Sequence, residues 1–273
     1  MKIHKTAVIS AAVAVTMIAA FCVTLVFAAN SARTYTIDTL VGSVQVSADS
    51  GSTWNDASVG TPVTESMLVK TGSSSYCDIT MPKRGTLRVT ENSQVLISKL
   101  AAGVEQVKVQ KGKGLFDINQ KLKDNESFQV ESSVAVAAVR GTEFAIAADD
   151  ENFNIQVVKG RVAVRRNVNI PNVDALDPDT KKLLEVDTSA GQEATLTMDE
   201  NRHLEDLISR AKGDLQEMKQ ILQSDNKVML SKVKLAKNAK RLFDMMNEDE
   251  NQNGNTNDED DDIIGKVNSR LGK

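Results

Sequence analysis

Val134-Ala135-Val136-Ala137-Ala138-Val139-Arg140-Gly141-Thr142-Glu143-Phe144-Ala145-Ile146-Ala147 is the stretch on which the fold turns. Its first six residues carry no polar side chain, and a continuous apolar run of that length reads as a central core strand covered on both sides. Arg140 interrupts the run. Gly141 can take a backbone conformation closed to other residues, so a sharp bend or bulge is expected there. Strict alternation follows, with Phe144 and Ile146 on the inward side.

On either side of this stretch, the pattern from Thr34 to Thr197 is rich in Val, Ile and Thr, with Gly, Ser, Asn and Asp between short apolar runs. Strands are predicted at 40–46, 67–69, 76–81, 86–90, 94–98, 104–110, 114–118 and 127–130. Segments 154–158 and 161–164, joined through Lys159-Gly160, read as a hairpin. Strands recurring about every ten residues indicate a mainly β domain over 34–197, a β-sandwich or rolled sheet rather than βαβ units. Within it Cys77, Ile79 and Met81 share one side at period two, which makes Cys77 a small core residue rather than a reactive thiol.

The block Ala137-Ala138-Val139-Arg140-Gly141-Thr142-Glu143-Phe144 resembles the signature of the FecR-domain family. Gly42 with Val44 and Val46, then Trp54, resemble the family's opening strand. Leu68 with Thr71 and Ser74, Gly85 with Leu87 and Val89, and Gly112 with Leu115 and Phe116 follow in order. Lys159-Gly160-Arg161-Val162 and Ala190-Gly191-Gln192 resemble its closing elements. The resemblance covers about residues 40 to 197. It implies an extracytoplasmic all-β domain of the kind found in membrane regulators that pass an outer-membrane signal to a cytoplasmic sigma factor. Such regulators carry a cytoplasmic segment before the membrane span. Here only Met1 to Lys5 precede the apolar run, too few for an interface of about 20–30 residues a side. The exported domain is therefore carried over and sigma-factor regulation is not.

Arg140, Gly141, Thr142 and Glu143 are the candidate binding residues. In one reading Arg140 pairs with Glu143 or with backbone carbonyls and fixes the bend. In the other its guanidinium faces a groove and binds an acidic ligand or partner.

Composition narrows the chemistry. Of 273 residues 41% are hydrophobic and 26% charged, an ordinary soluble balance. Aromatic residues are 4%, too few for a stacking wall for single-stranded nucleic acid, and the net charge of −4 is not that of a basic nucleic-acid binder. His4 and His203 are the only histidines, and Cys22 and Cys77 the only cysteines. That excludes most zinc sites, which need three or four such ligands, and weakens every histidine-dependent nucleophilic mechanism. No nucleophile elbow is present. No catalytic residue is assigned, and a non-enzymatic protein is expected.

Lys2 and Lys5 precede an apolar run from Ala7 to Ala29. A positive start, an apolar core and small residues near its end describe an export signal, with Ala28 as the best cleavage point over 1–28. The run is also long enough to remain as a membrane anchor. A lipoprotein would need Cys22, which bulky Phe21 precedes. With the lysines inside, the rest of the chain is expected in the periplasm or on the outer face of the cytoplasmic membrane.

After the β domain, Thr197-Met198-Asp199-Glu200 has the spacing of a helix capping box. Leu204, Ile208, Ala211, Leu215, Met218 and Leu222 then recur at spacings of four and three, which places a helical arm over 198–246 with a break at Ser224-Asp225-Asn226. The stripe suits packing on the β domain, or a coiled coil and self-association through 204–246. His203 reads as a surface residue. Asn247 to Asp262 holds eight acidic and no basic residues, so 247–273 reads as an acidic, disordered tail. Asp249, Asn251, Asn253, Asn255 and Asp260 also match part of a calcium loop with Gly254 at its sharp turn, which makes calcium the one cofactor the sequence suggests.

These readings converge on a non-enzymatic exported cell-envelope binding or scaffold protein whose partner is an envelope protein or glycan. The alternatives are a membrane-anchored extracytoplasmic sensor or regulator, and a calcium-dependent envelope binding module.

Overall fold

The structure, a computed structural model, describes residues 33–236 except 102, 120–121, 123–124, 172 and 174–175. The export segment 1–28, the end of the arm and the acidic tail with its calcium-loop residues lie outside the described residues. The chain divides at Arg33/Thr34, and the β domain and its helical arm both belong to the unit that begins at Thr34.

Among the described residues seventeen strands pair into one continuous sheet folded upon itself. Across one half the order is β4 (Pro62–Val63), β1 (Tyr35–Val41), β6 (Tyr76–Met81), β7 (Gly85–Val89), β9 (Val104–Ile118), β12 (Glu143–Ala148), β13 (Asn152–Lys159), β16 (Gln192–Thr197) and β17 (Val233–Leu235). Across the other it is β3 (Asn55–Asp56), β2 (Val44–Ser47), β5 (Leu68–Thr71), β8 (Gln94–Ala101), β9 again, β10 (Ser127–Glu131), β11 (Ala135–Val139), β14 (Arg161–Arg166) and β15 (Glu185–Ser189). Neighbours are antiparallel except β9 and β10.

Strand β9 joins the halves. Up to Lys111 it pairs with β8 and β10, and from Gly112 with β7 and β12. Lys111-Gly112-Lys113-Gly114 reads in sequence as a break between two strands. It is instead the bend inside one, made by a register shift opposite Gln94/Val95 and by Gly112 at φ +88°. A Cβ on Gly112 would lie 2.6 Å from Ser93 Cα, so both the backbone angle and the close approach require glycine.

The apolar faces of both halves meet in one core, with Ile37, Ile79, Leu87 and Ile155 from one and Val69, Ile97, Val107 and Val164 from the other. At its centre the rings of Phe116 and Phe144 stack 4.9 Å apart, and Phe128 meets Phe116 edge-on at 6.3 Å. Strand β11 departs from expectation. It is central, flanked by β10 and β14, and its inward Ala135, Ala137 and Val139 are buried. Its outer face is covered only in part: Val136 is buried there, whereas Ala138 is exposed. The unbroken apolar run thus reflects cover on both sides at Val136 and a small exposed alanine at the end that leads to Arg140.

Cys77, Ile79 and Met81 point inward as the alternation predicts. Burial, with Asp78 adding to it, pushes the Cys77 thiol up to about 12. A maleimide probe is therefore expected to leave native Cys77 unlabelled at neutral pH and to label it fully in denaturant; labelling at equal rates in both states would contradict this packing.

Three helices complete the described chain. Helix α1 (Pro178–Lys182) interrupts the region read as all-β. Its signal was present: Asp177 caps by accepting from the Thr180 amide at 2.9 Å, and proline follows at the first helical position. Helix α2 (Met198–Arg210) starts at Thr197 with both bonds of the predicted capping box. Helix α3 (Leu215–Lys232) runs unbroken through Ser224-Asp225-Asn226. The break falls earlier, at Lys212-Gly213, both with positive φ, before the N-cap Asp214. Asp225 and Asn226 stay helical because they bond to the β domain: the Asn226 amide donates to the carbonyls of Leu183 and Glu185 at 2.9 and 3.0 Å. Restarting the helix at 215 leaves Leu215 exposed, while Leu204, Ile208, Ala211, Met218 and Leu222 bury against Ile170, Leu176 and Leu184. The arm ceases to be helical at Val233, where β17 is taken up by the edge of β16.

Candidate functional site

The chain crosses from one half of the sheet to the other between Val139 and Glu143. Gly141 makes the turn at φ +71°. Thr142 is buried beneath it, and its carbonyl accepts from the Ile118 amide at 2.9 Å. Gly160, at the β13–β14 turn, lies directly against this corner. A Cβ there would stand 2.6 Å from Thr142 Cγ2 and 3.0 Å from the Gly141 carbonyl oxygen. The Arg-Gly-Thr-Glu and Lys-Gly-Arg blocks, apart in sequence, thus form one clip. The Thr142 hydroxyl is buried without a hydrogen bond among the described residues, so the methyl packing against Gly160 is its visible contribution.

The predicted pair between Arg140 and Glu143 does not form. Glu143 accepts from the Lys159 ammonium at 2.8 Å, and that hydrogen bond, with the charge of Glu143, raises the lysine above its ordinary range. The crossing separates the two side chains. Arg140 follows inward Val139 on one half of the sheet, and Glu143 precedes inward Phe144 on the other. They therefore face opposite outer surfaces. Arg140 is exposed and makes no hydrogen bond or ion pair among the described residues. Backbone carbonyls do not hold it either. Of the four signature residues, Gly141 and Thr142 build the corner and Glu143 is paired with Lys159, and Arg140 alone has no partner among the described residues.

A second polar cluster was not foreseen. Arg166, fully buried at the end of β14, reaches Asp225 Oδ2 at 3.1 Å, Glu200 Oε2 at 3.3 Å and Asn201 Oδ1 at 3.1 Å. The Asn201 amide in turn donates to the Val134 carbonyl at 2.7 Å, and the Lys232 ammonium meets Glu200 at 2.6 Å. Burial raises the Asp225 carboxyl, outweighing the pull of Arg166. Burial also acts to raise Glu200, but the Lys232 hydrogen bond and the charges of Arg166 and Lys232 leave it lowered. These residues lock both helices of the arm onto the β domain. A third cluster is internal: the Tyr35 hydroxyl donates to Glu105 at 2.7 Å, and Arg84 Nε lies 3.0 Å from the same carboxylate without the angle of a hydrogen bond.

His203 is exposed, as expected, and lines an open groove of about 420 Å³ between α2 and α3 with Leu207, Ile221 and Asp225. Among the described residues no group of three His, Cys, Asp or Glu could hold a metal ion, and no helix is long and apolar enough to cross a membrane.

Residues 67–163 match a family model described as FecR protein. The match includes the corner, Gly85, Gly112 and Gly160, and leaves Trp54 and Ala190-Gly191-Gln192 outside it. Two crystal structures of a candidate anti-sigma factor from Parabacteroides distasonis are similar at 15% identity and a TM-score of 0.36, over 47% of this chain and 53% of theirs. The alignment thus spans about half the length of those chains. No curated protein matches. The family match, which contains the Gly141 corner and the Gly160 that clips it, identifies residues 67–163 of this mainly β chain as a FecR-family domain.

Proposed function

We propose that this protein is a non-enzymatic, exported binding module of the cell envelope, and that Arg140 is the centre of the surface it presents to an acidic partner protein. One observation carries the reading. Within the family signature, Arg140 has no structural partner among the described residues, whereas Gly141, Thr142 and Glu143 are all engaged. An unpaired guanidinium offers a planar fork matched to carboxylates. A second reading, a membrane-anchored extracytoplasmic regulator, is supported by the FecR match, since the resemblance implies an extracytoplasmic part of a membrane regulator.

A photo-crosslinker at exposed Ala138, beside Arg140 on the same face, tests the first reading in intact cells. A discrete envelope adduct is expected, and Arg140→Glu should abolish it. Arg140→Ala is a surface change worth within about 0.5 kcal/mol, so the melting temperature should hold within about 2 °C. An adduct that survives charge reversal, or a protein that fractionates with the cytosol, would overturn the proposal. N-terminal sequencing separates the two readings: a start at Ala29 means release, an intact Met1 means anchoring.

A further inference from the structure

On the outer face of the sheet, away from the Arg140 corner, one row runs Thr90, Lys113, Ala147, Asn154 and Thr195. Its register follows from the pairs Lys113↔Ala147, Ala147↔Asn154 and Asn154↔Thr195, with the Thr90 amide bonded to the Lys113 carbonyl. The row floors a groove of about 530 Å³, within the usual range for a small-molecule site. Ala147 leaves the space, because its short side chain stands where neighbours carry long ones. The turns holding Asn92 and Asn152 form the walls.

The groove's charges are unequally engaged. Glu91 accepts from the Ser74 amide at 3.0 Å. Asp149 accepts from the amides of Glu151 and Asn152 at 2.8 and 2.7 Å, bonds that hold its carboxyl below the usual range. Both acids are thus engaged by backbone amides, Glu91 across to the Ser74 turn and Asp149 within its own, while Lys111, which also lines the groove, is exposed to solvent. Lys113, half-buried, makes no ion pair among the described residues, and burial lowers its ammonium from the ordinary lysine range. An ammonium withdrawn from water without a counter-ion is an unfavourable arrangement that a bound anion relieves.

The surrounding groups select the anion's remainder. The Asn154 amide donates to the Thr195 hydroxyl at 2.9 Å, leaving the Asn154 carbonyl and the Thr195 hydrogen for a ligand. The Asn92 side chain adds a donor and an acceptor, neither engaged among the described residues. Such alternating donors and acceptors suit hydroxyl groups. An acidic peptide fits less well. The floor strands β9, β12 and β13 are each paired on both sides and β16 meets β17 along Gln192–Ala194, which leaves backbone open for strand addition only past Ala194, too short a stretch to seat an extended peptide. We propose that this groove binds an acidic sugar of the hexuronate type, its carboxylate on Lys113 and its hydroxyls on Asn92, Asn154 and Thr195.

Calorimetric titration of the full chain with sodium glucuronate tests this independently of the Arg140 reading. Saturable binding is expected, weakened about tenfold or more for glucose and for Lys113→Met, restored in part by Lys113→Arg and abolished by Ala147→Leu. Lys113→Met and Lys113→Gln keep the stem and remove only an unpaired charge, so either should melt as wild type does. Absence of saturable glucuronate binding overturns the proposal, as does equal affinity for glucose or unchanged affinity in a folded Lys113→Met. Inorganic phosphate or the tripeptide Ala-Asp-Ala binding as tightly as glucuronate would also overturn it, by showing a site that reads charge without the sugar.

Discussion

Arg166→Ala is expected to destabilise the protein by about 3–5 kcal/mol and to release the helical arm. Arg166 supplies positive charge to Asp225 and Glu200, both largely shielded beneath the arm. Removing it leaves two carboxylates facing each other with Lys232 alone, on Glu200, as counter-charge. The buried Asn201 also loses the donor to its Oδ1. Urea unfolding should show the loss, and limited proteolysis should open α2 and α3 before the β core. The cost belongs to the broken pair rather than to any large net value of the ions. Arg166→Met combined with Asp225→Leu and Glu200→Gln should therefore recover much of it, because a well-packed apolar replacement of a buried ion cluster is often neutral or better. A single Arg166→Ala change costing less than about 1 kcal/mol would show that the arm is held by its apolar contacts alone.

The same cluster fixes the sign of a pH effect. Asp225 has its folded value raised, so its contribution is fully present below the unfolded value of 3.8 and is lost as pH rises through the folded one. Glu200 has its folded value lowered, so its contribution is present above the unfolded 4.5 and is lost as pH falls through the folded one. In the wild type the two oppose each other. Without Arg166 both carboxyls shift upward, and each is then relieved by protonation. The deficit of Arg166→Ala should accordingly be largest at neutral pH and shrink on acidification toward the carboxylate range. A deficit that stays constant between these conditions would trace the loss to packing instead of charge.

What the sequence discloses is local. Phe144 and Ile146 inward, Cys77 with Met81, the glycine bend at 141 and the Thr197 cap each depend on neighbours a few residues away, and periodicity or a four-residue motif suffices to read them. Arg140 and Glu143 look like natural partners three positions apart. They are not, because Gly141 sends the chain from one half of the sheet to the other, and that crossing is a property of pairings with β14 and β13. Arg166 sits beside Arg165, past the strand predicted over 161–164, and nothing in its neighbours marks it as buried. Its burial is decided by helices that return 34 and 59 residues later. The groove over Ala147 is equally hidden, since the lysines of Lys111-Gly112-Lys113-Gly114 look like turn residues until the strand is seen to continue through them. The break placed at 224–226 failed for the same reason: three polar residues signal a loop only if nothing distant bonds to them.

Phe144→Ala should cost about 3–5 kcal/mol, the range for removing a buried ring from a core that cannot collapse around the space left. The ring is fully buried, stacks at 4.9 Å on Phe116 with an interplanar angle of 4°, and lies in β12, which pairs with both β9 and β13. At about 2–4 °C per kcal/mol for a domain of this size, the melting temperature should fall by on the order of 10 °C with the urea slope unchanged. Since Phe116 and Phe144 share one contact, Phe116→Ala added to Phe144→Ala should cost less than the sum of the two single changes. Strict additivity would mean the rings act separately. The comparison with Arg140→Ala matters most, because the two residues stand four apart in one signature. If Phe144 governs folding while Arg140 leaves it untouched and alters only capture, the signature divides at Gly141 into a part that builds the domain and a part that meets the partner. Equal losses of stability at both positions would make the whole block a folding element and remove Arg140 from the binding surface.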